Sequence, residues 1–226
     1  MHIDVWADIA CPWSYLGIRH LRQALREFPQ RDEVEVLLHA YFLDPELSEP
    51  LDISRADYLL QTEGMTAQKV IDHEERLRSL GRSEGVDFDF ARVVVAPTAN
   101  AHRTVSLAHE IDLEADTVMG PETTQLRMFE TLGRAYFEMG LNVADPEVLI
   151  GCGQDIGMDP RRILEALSSR EWASQVFSDY QIGVQMGIDL IPTYLFDRAF
   201  VVQDHQPVTA MRNILATAWE QSSKEH

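Results

Sequence analysis

A short apolar strand at the start of the chain runs almost directly into Cys11-Pro12-Trp13-Ser14, and this tetrapeptide opens an amphipathic helix. Ile3, Val5 and Ala7 alternate with polar neighbours or with Trp6, which is the period of a strand. Leu16, Leu21, Ala24, Leu25 and Phe28 then mark one helical face that ends near Pro29. Val34, Val36, Leu38, Ala40 and Phe42 alternate again on one face of a second strand. A helix joining two successive strands implies a right-handed βαβ unit with its strands parallel. The cysteine therefore sits at the strand-to-helix corner of an α/β unit.

From 54 to 187 the pattern is helical, with Thr66, Thr98, Asp145 and Asp159 as expected caps and prolines at 121, 146 and 160 near helix starts. Gly85 to Phe90 breaks that run as an extended loop. A second alternating region follows at 193–202, and Gln206-Pro207 opens a final helix to about Gln221. Two strands, a helical block, two strands and a helix predict an α/β chain of two parts. One is a discontinuous α/β domain, 1–53 with 188–226, and the other an all-helical insertion, 54–187. With 226 residues, 45% of them apolar, the chain can bury a sizeable core and is long for one small α/β unit.

Position alone gives Cys11 its chemistry. A thiol at a helix N-terminus faces unpaired backbone N–H groups and the positive end of the helix dipole. Both favour thiolate, so a depressed pKa is expected, and thiolate is the attacking species in disulfide exchange. Ser14 stands where a C-x-x-C pair carries its second thiol, so Cys11 cannot close an internal disulfide and the corner is monothiol. Cys152, in Leu149-Ile150-Gly151-Cys152-Gly153, reads as a small packing residue.

Several separated stretches resemble the DsbA-like thioredoxin superfamily, above all its FrnE-type branch, the polyketide-associated dithiol–disulfide isomerases. Asp8-Ile9-Ala10-Cys11-Pro12-Trp13-Ser14-Tyr15-Leu16-Gly17 is similar to that branch's D-x-x-C-P-W-C-Y-x-G. His39 to Pro45, Asn100-Ala101-His102-Arg103, Ala135-Tyr136-Phe137 with Asp145-Pro146-Glu147, and Gly187 to Tyr194 resemble further pieces in the same order. Two departures stand out. The branch's resolving cysteine is Ser14, and its S-G-A-Q-P stretch reads Gln203-Asp204-His205-Gln206-Pro207. The latter leans toward the kappa-class glutathione transferases and 2-hydroxychromene-2-carboxylate isomerases.

The resemblance implies a thioredoxin-like fold with a large inserted helical domain and thiol–disulfide oxidoreductase or isomerase activity. Cys11 and Ser14 would be its catalytic corner. Trp13 and Tyr15 would line a groove or pack the helix start, and Asn100 and His102 would position a ligand or the thiolate or serve as helix caps. A cis Ile191–Pro192 bond beside the sulfur would offer Ile191's backbone to a bound peptide or thiol. Asp204 would hold the amino group of a γ-glutamyl unit or cap the final helix. A low-molecular-weight thiol such as glutathione is the expected co-reactant, with no tightly bound cofactor. A glutathione-dependent isomerase or transferase, and a redox-inactive binding module, remain alternatives.

A net charge of −18 argues against nucleic acid and anionic membrane surfaces as partners. Arg19, Arg22 and Arg26 read as a solvated face of the first helix. His39 reads as a satisfied strand histidine rather than a proton shuttle. His73, His109 and His205 share no ligand spacing with the cysteines, so no metal site is expected. The N-terminus shows no leader and no stretch has the length of a membrane span; with two cysteines, the expectation is a cytoplasmic protein.

Overall fold

The computed structural model describes residues 1–222. The last four positions of the second expected segment, 223–226, lie outside the described residues. Strand β1 (His2–Ala7) leads through the Cys11 corner into helix α1 (Pro12–Arg26), and β2 (Glu35–Ala40) pairs with β1 in parallel. Helices α2 (Arg55–Thr62), α3 (Ala67–Ser83), α4 (Ala99–Glu114), α5 (Thr124–Phe137), α6 (Pro146–Asp155), α7 (Pro160–Ser168) and α8 (Arg170–Gln185) follow. Strands β3 (Thr193–Phe196) and β4 (Phe200–Gln203) then form a hairpin, and α9 (Val208–Ser222) closes the described chain. The sheet order is β2-β1-β3-β4, with β3 antiparallel to β1. This is a thioredoxin-like fold whose helices α2–α8 fall between β2 and β3.

One apolar core runs through both parts. Ile3 and Val5 of β1 and Leu21 and Leu25 of α1 belong to the same buried cluster as Leu126, Phe129 and Leu132 of α5. The caps at Thr66, Asp145 and Asp159 form as expected, with each side chain accepting a backbone N–H of the first turn. Thr98 precedes α4 but makes no side-chain cap, because its own backbone is already helical. The expected loop at 85–90 extends to Thr98. Val93, Val95 and Pro97 favour extended chain there, and Val95 C=O accepts the Leu51 N–H at 2.9 Å.

Of the arginines of α1, Arg26 is solvated as expected and Arg19 half-buried, but Arg22 is not on a solvated face. Arg22 is buried, donating to Pro121 C=O at 2.9 Å and pairing with Glu122 and Glu130, while Arg19 also pairs with Glu130. A charged row read from helical period alone thus becomes a buried tie between α1 and α5. His39 is satisfied on the sheet, held between Asp4 of β1 at 2.8 Å and Asp179 of α8 at 3.5 Å and stacked on Trp6. Burial pushes its pKa down, but Asp179 and Asp4 outweigh that and raise it to about 9.

Candidate active site

The corner after β1 is assembled by Asp8, which is 2% exposed. Its carboxylate accepts from Ala10 N–H at 3.3 Å and Leu43 N–H at 2.9 Å, its carbonyl accepts from Cys11 N–H at 3.1 Å, and His102 Nε2 lies 3.3 Å away. The chain is thereby turned so that Cys11 becomes the N-cap of α1. Its Sγ accepts the Ser14 N–H at 3.4 Å, and Pro12 takes the first helical position, where a missing N–H costs nothing. The Ile191–Pro192 peptide is cis, and Ile191 C=O lies 3.8 Å from Cys11 Sγ as acceptor of the thiol proton. Trp6, Ile188 and Ile191 enclose the sulfur in a small apolar cluster.

That enclosure overturns the expected depressed pKa. Burial pushes the Cys11 thiol up to about 11, against the Ser14 hydroxyl and the Ser14 and Trp13 N–H groups, which favour thiolate; the Asp8 charge raises it further. Cys11 rests as a thiol. Cys152, also free, is packed in the main core, where burial raises it to about 11 as well.

Cys11 faces a cavity of about 280 Å³. The corner residues 8–13 and the 189–191 turn form one side, the β2–α2 loop and α2 another, and residues 95–98 with Tyr136 a third. Trp13 belongs to this wall and also packs on His205 at 4.5 Å, with Arg76 over its ring. Ile191 lines the cavity too, yet it is buried and its carbonyl faces the sulfur, so it does not present a solvent-facing edge. Pro192 is buried beneath α1, where Gly17 leaves it room.

Other expected site residues lie elsewhere. Tyr15 is 1% exposed and points into the core, stacked on Phe137 with its hydroxyl donating to Glu138 at 2.6 Å. It is a packing residue because its turn of α1 faces α5, where Gly133 leaves space for the ring. Ser14 is fully buried, and its Oγ has no hydrogen-bond partner among the described residues. His102 acts on the corner only through Asp8, and Asn100 sits in the first turn of α4 outside the cavity wall. Asp204 is also off the wall. Its backbone is left-handed (φ 66°) and its carboxylate accepts the His205 N–H at 2.7 Å, so it shapes its own loop.

Polar wall residues not singled out from sequence include Asp8, Arg55 and Tyr136. Asp8 and Tyr136 lie within the quoted stretches, but nothing local marks them as facing one cavity. Arg55 opens α2 and is 7% exposed, with Nη1 on Glu74 at 3.0 Å and its guanidinium 4.6 Å above the Phe90 ring. Among the described residues there is no cluster of side chains able to hold a metal ion, and no helix is long and apolar enough to cross a membrane.

The fold has counterparts among known proteins. The probable DsbA oxidoreductase SCO1869 of Streptomyces coelicolor is 26% identical with a TM-score of 0.83, over 97% of this chain and 90% of that one. The cytosolic disulfide reductase DsbM of Pseudomonas aeruginosa, solved with GSH, shares the fold at 18% identity and a TM-score of 0.67, covering 97% and 100%. So does 2-hydroxychromene-2-carboxylate isomerase, at 13% identity and a TM-score of 0.68, covering all of both chains. Among curated sequences, the ClpXP adapter protein SpxH of Halalkalibacterium halodurans is 29% identical over 93 residues. That stretch spans 41% of this chain and only 30% of the relative's length. The DSBA-like thioredoxin domain model matches residues 2–216, and the chain belongs to that family of thiol–disulfide oxidoreductases.

Proposed function

We propose that this chain is a monothiol oxidoreductase or isomerase in which Cys11 forms mixed disulfides that an external low-molecular-weight thiol resolves. The observation that carries this is Cys11 in the wall of a cavity, with a serine hydroxyl where a resolving thiol would stand. In the first step Cys11, as thiolate, attacks one sulfur of a disulfide R–S–S–R′. The Cys11–S–S–R bond forms, and R′S⁻ leaves with the electron pair of the broken bond. A second thiolate R″S⁻ then attacks the R sulfur, giving R–S–S–R″ and restoring the Cys11 thiolate. Net redox change is zero, so the site exchanges or reshuffles disulfides. Ser14 Oγ, unpartnered at rest, is free to donate to the thiolate when it forms. A cytoplasmic setting would supply the reducing thiol.

A second function has its own support. Cys11 is protonated at rest, and a buried thiol can donate to the sulfur of a bound glutathione thiolate, as a glutathione-dependent isomerase or transferase requires. Intact mass after incubation with oxidised glutathione separates the two. A single glutathione adduct that is absent in Cys11→Ser is expected for exchange. Glutathione binding without an adduct supports the isomerase, and neither adduct nor binding leaves a redox-inactive binding module.

A further inference from the structure

Behind the Cys11 corner lies a buried carboxylate with a single side-chain partner. Asp8 and His102 are both almost fully enclosed, and His102 Nε2 lies 3.3 Å from Asp8 Oδ1. A carboxylate only accepts, so Nε2 carries the hydrogen. The carboxylate's other partners are backbone: Ala10 N–H at 3.3 Å on the same oxygen and Leu43 N–H at 2.9 Å on the second. Among the described residues no lysine or arginine pairs with it. His102 is itself anchored in the first turn of α4, with its backbone N–H donating to Thr98 C=O at 2.9 Å and the Phe42 ring edge-on at 5.4 Å. Asp8 in turn shares the cavity wall with Cys11, its C=O holds the Cys11 N–H at 3.1 Å, and its charge opposes the thiolate. The other acids of the wall stand farther along the chain, Asp44 in the β2–α2 loop, Glu63 at the end of α2 and Asp189 in the turn before Pro192. Arg55 of α2 and Tyr194 of β3 are the further titratable groups whose fields meet that of Cys11.

We infer that His102 is a positioning residue for Cys11: its Nε2–H draws the Asp8 charge away from the sulfur and fixes the residue whose C=O holds the Cys11 backbone, so that thiolate forms at a lower cost than beside an unpartnered Asp8. As a claim about exchange rate the inference rests on the function proposed above; as a claim about the thiol it stands apart from it. Exchange requires a second anion, the thiolate, in the same wall as Asp8. In an interior poor in water two like charges oppose each other strongly, and a donor that polarises one of them relieves the other. Burial already disfavours the thiolate, so this relief acts on the step that limits the reactive form.

The test follows two reactions of Cys11 at pH 8 by intact mass in a Cys152→Ala background: alkylation by iodoacetamide and adduct formation with hydroxyethyl disulfide, both uncharged reagents. His102→Leu removes the donor, and His102→Gln keeps an N–H at a similar reach. A like charge left unshielded beside a thiol raises it by about one pH unit, a tenfold loss of thiolate. His102→Leu should therefore slow both reactions about tenfold, and His102→Gln should recover most of that loss. Asp8→Asn should quicken alkylation, and in that background His102→Leu should no longer slow it, because there is no charge left to draw away. Equal slowing by His102→Leu with and without Asp8→Asn would make His102 a packing residue and overturn the inference. So would unchanged alkylation in His102→Leu, or an equal loss in the Leu and Gln variants. Where Asp8→Asn fails to fold, the comparison of Gln with Leu decides alone. Alkylation that behaves as expected while hydroxyethyl disulfide reacts with no variant, wild type included, overturns exchange and leaves the hold of His102 on the thiol standing.

Discussion

The protonation of Cys11 can be measured directly by its alkylation against pH in a Cys152→Ala background, which removes the other thiol. Two effects compete at the sulfur. The start of α1 supplies the Ser14 and Trp13 N–H groups and the Ser14 hydroxyl, while Trp6, Ile188 and Ile191 strip away water. Burial prevails and moves the thiol from its ordinary 9.0 to about 11. Two pH units correspond to about 2.7 kcal/mol against the thiolate, a hundredfold loss of the reactive form at neutral pH. The iodoacetamide rate should therefore climb about tenfold per pH unit from pH 6 to beyond pH 9, with no plateau in that range. Restricted access to a sulfur 4% exposed scales the rate equally at every pH and does not move the inflection. Ser14→Ala, which removes a donor to the thiolate, should shift the profile further upward. A plateau below pH 8 would refute the reasoning, since it would mean that the helix start outweighs burial.

Three other perturbations follow from particular contacts. The folded pKa of His39 is raised to about 9, so its stabilisation is complete below about pH 6.5 and is lost as pH rises through 9. His39→Phe keeps a ring on Trp6 but loses the charge; in urea unfolding it should cost at most about 3 kcal/mol at pH 6, shrinking toward zero by pH 10, and a cost independent of pH contradicts this. Gly17→Ala would bring a methyl within 2.8 Å of Pro192 Cγ and against the Tyr194 hydroxyl. Overpacking of that kind costs about 1–3 kcal/mol, so a thermal melt unchanged from wild type would show that Pro192 can yield. Ser14→Cys should create dithiol activity in insulin reduction, where the wild type shows little; strong wild-type activity would make Cys152 a resolving thiol.

Much of the scaffold is legible in the sequence because it rests on local period. The alternation of Ile3, Val5 and Ala7, the apolar face of α1 and the β3–β4 alternation are near-neighbour patterns, and they place Cys11 at the corner. What escapes local period is whatever chain-distant contacts decide. The helix start argues for a low Cys11 pKa, but the burial that reverses it comes partly from Ile188 and Ile191, some 180 residues away. Arg55 falls without local mark in the stretch read as helical from 54, and only the fold sets it against Glu74 and Phe90. Arg22 reads as solvated until α5 is packed upon it. Asp204 falls within a stretch that resembles glutathione-using relatives, yet its left-handed backbone turns the carboxylate toward its own loop.

Helix α2 forms one wall of the cavity, and Arg55 is its one buried residue. A helix held mainly by polar ties, the Arg55–Glu74 pair and the Tyr58–Asp44 hydrogen bond, opens more readily than one seated by a buried apolar face, so this wall belongs to the low-stability end of the molecule. A guest that fills the cavity would lie against α2 and against Tyr136 of α5, and its contacts would hold that helix in place. By linkage, the closed form then gains RT ln(1 + [L]/Kd) as ligand L is added, so amide exchange along α2 should slow with substrate concentration while α1 is left unaffected.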